Sequence, residues 1–258
     1  MIIFQEYIFG EKILITKEFL EDICFITQHD HARVSLDIFL MINSEITQGI
    51  EQSEELKYAI RNHDCGWIEY DKIPKTNKSG QIYTFQNMKP GLQNELWLKS
   101  VSSSIIPYSA LLIAEHFKFL SKNSISRENE NDFIKICDSF TKKNYPKLLT
   151  DIENKNFSVE LGFLKFTDLI SLIICREREI VDDLIPSIKM LDNNDLNINI
   201  KKVDDSLYQF PSGFFREKQN LVEIPYKMIP AELIRTPRKL KDEYKNARLR
   251  YRRIGLFC

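Results

Sequence analysis

The stretch RNHDCGWIEYD, residues 61–71, decides how the chain is read, because it places one of only four histidines beside an aspartate and directly before Gly66 and Trp67. Two readings fit it: a turn at the end of a helix, or a metal site.

Working outward, the preceding SEELKYAIRNH carries Leu56, Ala59, Ile60 and His63 at helical spacing, so an inner stripe ending on His63 is expected. Further upstream, QHDHARVSLDIFLMI sets His31, Ser35, Ile38, Phe39 and Ile42 on one face. His29 lies about 200° round that helix, beside Arg33 and Asp37, and is expected at solvent or at a site rim. Downstream, a helix from about Ser102 to Lys122 would bring Ile105, Ser109, Leu112, Ile113, His116 and Phe117 into register. The stretch between, 67–91, holds Pro74, Gly80, Pro90 and Gly91 and reads as a long surface excursion. An amphipathic helix is expected from near Asp132, and FSVELGFLKFTDLISLIICRE, residues 157–177, is the most apolar helical window.

At the two ends the pattern turns strand-like. The opening IIFQEYIFGEKILITKEF suggests a hairpin around Gly10, and residues 195–230 alternate again. Both ends are expected to join in one small antiparallel sheet, followed by a charged helix over 237–254. The expected fold is therefore mainly α, a helical bundle with a small terminal sheet. It forms a single domain over 1–258, with a metal-site core at about 20–178 and flanking strands at 1–19 and 195–230.

Composition narrows the partners. With 258 residues, 43% of them hydrophobic, the chain can bury a sizeable core, and a net charge of -1 exerts no general pull on nucleic acid or membranes. The arginines near the C-terminus read as a solvated face, not a nucleic-acid surface. Five cysteines form no CxxC pair, which points away from a disulfide framework and toward a reducing cytoplasm. The N-terminus lacks the basic start and small-residue cleavage site of a signal peptide, and no window approaches a membrane span. A homo-oligomer is left open.

The chemistry lies in four intrusions. His31, His63, His116 and Asp168 each sit on the apolar stripe of a separate expected helix, where a polar group is costly to bury without a partner. One shared partner would answer all four, and imidazole with carboxylate is a standard donor set for a divalent ion. Asp64 can turn inward beside His63. Each histidine taken alone reads more simply as a hydrogen-bonded core residue.

The ordered series, carried by ITQHDHA, AIRNHDCGWIEYD, PYSALLIAEH and FTDLISLIIC, resembles the HD superfamily of metal-dependent phosphohydrolases. It is closer still to an uncharacterised bacterial HD-like family with a QxDHA…HDxGW…H…D pattern. The resemblance implies that His31, His63, Asp64 and Asp168 bind a first divalent metal (iron, manganese, zinc, nickel or magnesium). It also implies that His116 serves a second metal or faces phosphate. Asp64 and His116 would then be the catalytic pair, and the substrate a small phosphorylated metabolite or nucleotide. Cys65 departs from the pattern, which often has a second acidic residue there. The alternative is a sensor module that binds a metal or ligand and turns nothing over.

Overall fold

The computed structural model describes residues 15–19, 21–77, 82–83, 88, 90–122, 130–151, 156–177, 187–191 and 194–258. Strands β1 (Ile15–Phe19) and β2 (Asp22–Ile26) form an antiparallel hairpin with Ile15 opposite Ile26. The hairpin expected around Gly10 lies outside the described residues. Helix α1 (Gln28–Met41) follows at once, its first turn closed by the Thr27 hydroxyl, which accepts from the Asp30 amide. Helix α2 (Glu54–Asn62) starts the same way on Ser53 and ends with His63 as its C-cap, after which Cys65–Trp67 form a 3-10 turn.

The next segment departs from expectation. The helix expected from Ser102 begins instead at Pro107 as α4 (Pro107–Lys122), and a separate helix, α3 (Pro90–Ser103), precedes it. Pro107 suits the first position of a helix, where no backbone N–H is needed, and the chain breaks just before it. Ile105, expected on the buried stripe, falls in that break and is 81% exposed. Much of the expected surface excursion is structured too, with Trp67 buried against Met88 and Leu96. Helices α5 (Glu130–Asn144) and α6 (Phe157–Arg176) agree with the reading.

The mainly α class is overturned. Among the described residues a six-stranded sheet runs in the order β1-β2-β7-β8-β6-β5, with β5 (Lys201–Asp204), β6 (Leu207–Gln209), β7 (Gln219–Pro230) and β8 (Arg250–Phe257). A separate pair, β3 (Ile188–Lys189) and β4 (Asp195–Leu196), lies outside it. The fold is mixed, and its sheet is neither small nor purely antiparallel, since β6 and β8 pair in parallel. The expected helix over 237–254 stops as α7 (Pro237–Asn246). Beyond it, Ile254 and Leu256 are buried while Tyr251 and Arg253 are exposed, a period of two that a dense run of arginines hides from a charge-based reading.

One long strand unites the two ends of the chain. β7 pairs with β8 over Gln219–Tyr226 and with β2 over Lys227–Pro230, Asp22 lying opposite Pro230. The two faces of β2 enter different cores. Cys24 and Ile26 join the main core with Ile38, Leu112, Phe163 and Ile170, whereas Ile23 and Phe25 join Ile229, Leu240 and Tyr244. Arg252 of β8 donates to the Cys175 carbonyl at 2.8 Å and pairs with Glu177, so the sheet satisfies and neutralises the C-terminus of α6. That contact ties α6 to the sheet while its middle faces α1, α2 and α4. No helix among the described residues is long and apolar enough to cross a membrane.

Candidate metal centre

Helical register delivers the donors. His31 is on the first turn of α1, His63 caps α2, His116 is on α4 and Asp168 is midway along α6; each is at most 5% exposed. Asp64 follows His63 into the turn and is 6% exposed. Among the described residues, His31, His63 and Asp168 each offer a ligand atom within 4.8 Å of the other two, a buried group that can hold a metal ion.

The individual separations fit such an ion. His31 Nε2 is 2.7 Å from Asp64 Oδ2, His63 Nε2 is 3.2 Å from Asp168 Oδ1, and His116 Nε2 is 3.3 Å from Asp168 Oδ2. Ligand bonds of about 2.0–2.2 Å put donor atoms roughly 3–3.5 Å apart around one ion. Asp64 Oδ2 is also 3.6 Å from His63 Nε2, so it stands beside two of the three grouped residues.

Outer hydrogen bonds aim the rings. His63 Nδ1 lies 2.8 Å from the Ile60 carbonyl, which can only accept, so Nδ1 carries the hydrogen and Nε2 faces inward. On the opposite helix the Ser171 hydroxyl donates to the Asp168 carbonyl at 2.8 Å, which leaves its lone pairs for His31 Nδ1–H at 2.9 Å. Ser35 closes the chain, its hydroxyl 2.8 Å from that of Ser171. Both neutral imidazoles would thus present lone pairs to carboxylate oxygens. That arrangement repels unless a proton or a cation lies between, and outer hydrogen bonds of this kind are how protein metal ligands are usually oriented.

Electrostatics point the same way. Burial by itself would depress the His63 pKa, yet the adjoining Asp64 and Asp168 carboxylates raise it to about 9. Asp168 is also buried, which raises a carboxyl, but its contacts with His116 and His63 outweigh this and hold it well below the ordinary range. Burial lowers His116. Although His116 lies close to Asp168, the line between them is poor for a hydrogen bond, and neither ring nitrogen has such a partner among the described residues. Apolar residues would fill this volume at less cost, since burying ions commonly costs several kcal/mol each. An orphaned imidazole and two inward-facing histidines make a donor set that fits a metal better than it fits a purely structural core.

All five candidate ligands are therefore brought together. His29 is not among them; it is half-buried on the wall of a neighbouring cleft. Sequence reasoning missed Ser171 and Asp71 as functional positions. Ser171 is three residues beyond Asp168 and shares its helix face, a usable signal. Asp71 accepts the Gln28 amide at 2.8 Å across 43 positions, for which no local signal exists.

The fold and site define a mixed helix-and-sheet domain around a buried His/Asp group. The chain belongs to the family described as a protein of unknown function (DUF3891), whose model matches residues 14–231. No curated protein and no solved structure matches it.

Proposed function

We propose that the protein is a metal-dependent phosphohydrolase acting on a phosphomonoester or phosphodiester of a nucleotide or small metabolite. The observation that carries this reading is the inward pinning of His31 and His63 Nε2, by Ser171 and the Ile60 carbonyl, toward the carboxylates of Asp64 and Asp168. The HD-like order of these residues supports it. His31, His63, Asp64 and Asp168 would hold a divalent ion, with His116 beside them.

When bound, such an ion acts as a Lewis acid and brings the pKa of water from 15.7 toward about 7. The side chains divide the remaining work. Asp64 has the most exposed side chain of the five, at 8%, and accepts a proton from the attacking water. His116, with no hydrogen-bond partner among the described residues, donates to a phosphate oxygen. Asp168 would complete the ligand set beside His63.

The near-complete burial of these groups favours a second reading, a sensor that binds without turnover. A panel of mononucleotides, cyclic nucleotides and sugar phosphates, assayed with each of several divalent metals, separates the two. Turnover that stops on metal removal and falls about a hundredfold or more in Asp64→Asn, with substrate affinity little changed, is expected of the enzyme. Tight binding of one panel member without turnover by any metal form assigns the sensor.

A further inference from the structure

A cleft of about 390 Å3 opens at the start of α1, lined by Thr27, His29, Asp30, Asp71, Lys227 and Tyr244, among others. Its size falls within the range of small-ligand sites. It adjoins the metal centre: its lining residues His29 and Asp30 directly precede His31 on α1, and Asp71 and His29 both lie in the field of Asp64.

The cleft has an unmet need, and its sign is clear. Asp71 is 3% exposed; its Oδ2 accepts the Gln28 amide, but Oδ1 has no hydrogen-bond partner among the described residues. A buried acceptor left open costs about 1–3 kcal/mol. The cations at the rim are already engaged. Lys227 Nζ donates to the Tyr244 carbonyl at 2.7 Å, and Lys72 Nζ to Glu69 at 2.7 Å. Lys75 reaches Asp71 only through its field and sits 3.4 Å over the Tyr70 ring. The two lysines of the lining, Lys72 and Lys227, are matched by Asp30 and Asp71, so the cleft carries no cationic excess to hold free phosphate. Uncharged hydroxyl groups would instead find acceptors in Asp71 and Asp30. The edge-to-face pair of Phe25 and Tyr244, 5.6 Å between centroids, offers apolar surface for a sugar's C–H faces.

We propose that this cleft binds the sugar portion of a phosphorylated ligand, with Asp71 accepting a ring hydroxyl while the phosphate lies toward His31 and Asp64. This rests on the phosphohydrolase reading for the phosphate end only. Leu249 and Lys72 of the lining are exposed and lie at its mouth. Asn in place of Asp71 keeps an oxygen for the Gln28 amide but turns the open acceptor into a donor.

Calorimetry and amide-resonance shifts of the metal-loaded protein, with inorganic phosphate, D-ribose and D-ribose 5-phosphate as separate probes, test the assignment. Ribose 5-phosphate should bind at least about tenfold more tightly than phosphate, the worth of one hydrogen bond to a charged group. Asp71→Asn should erase that advantage with metal content unchanged and phosphate affinity within about twofold. Leu249→Trp, which narrows the mouth far from the buried carboxylate, should do likewise. Phosphate binding with no sugar advantage, or an advantage that survives both variants, overturns the cleft and spares the hydrolase reading. Ribose shifts on cleft resonances that vanish in Asp71→Asn, without any phosphate binding, sustain the cleft and overturn that reading. Binding of none of the three probes overturns both.

Discussion

His63 Nε2 lies 3.2 Å from Asp168 Oδ1 although 105 positions separate the two residues. The pair is buried, and each partner shifts the other toward its charged form, so the metal-free centre holds an imidazolium where a bound cation would replace the proton. His63, raised from 6.5 to about 9, stabilises the metal-free fold fully below pH 6.5 and loses that contribution as pH rises through 9. Thermal melting of metal-free protein should therefore fall across that window. Metal binding near pH 7.5 should release a proton, read as a dependence of calorimetric enthalpy on buffer ionisation heat. Binding with no proton release would show that His63 is not displaced.

Asp168→Ala should leave metal content at background in protein purified without chelators, measured by mass spectrometry. It should also destabilise the metal-free fold, because it leaves the buried His63 without its carboxylate partner. Asp168→Leu should recover stability but not metal. Full metal occupancy in the alanine variant removes Asp168 from the ligand set.

Ser171→Ala deprives His31 Nδ1 of its acceptor without touching any ligand atom. Metal affinity should drop about 10- to 100-fold, the usual effect of losing an outer hydrogen bond. Ser35→Ala removes bonds to the Ser171 hydroxyl and to the His31 backbone carbonyl but none to the His31 ring, and should cost less. Equal losses in the two variants would contradict a specific role in aiming His31.

Gly66→Ala tests the turn that carries the His-Asp doublet. A Cβ there would meet the Leu96 carbonyl oxygen at 2.2 Å and the Ser100 amide nitrogen at 2.8 Å, backbone atoms that cannot rotate away. Overpacking of this kind costs about 1–3 kcal/mol, so the urea midpoint should fall, and metal affinity with it as Asp64 shifts. An unchanged midpoint would mean that the turn lifts off α3 freely.

The turn reading of RNHDCGWIEYD is met, since His63 ends a helix and Gly66 lets the turn lie against α3; the same turn puts Asp64 beside His31 of the buried group that can hold a metal ion. Much of this was legible locally. The capping hydroxyls of Thr27 and Ser53, the stripes ending on His63 and His116, and Asp168 amid apolar neighbours are set by a 3.6-residue period that needs no knowledge of the rest of the chain. Other features depend on pairing between distant segments. Arg250–Phe257 is dense in charge until β7 is placed beside it, when alternate residues prove to face a core. Ser171 is an ordinary helical serine until α1 packs on α6 and brings His31 Nδ1 to its hydroxyl. Asp71 ends the short helix Ile68–Asp71, and nothing local marks its carboxylate until the Gln28 amide reaches it. Local periodicity determines which faces must be buried; only the tertiary structure decides which faces meet, because that choice depends on the shape and register of elements far apart in the chain.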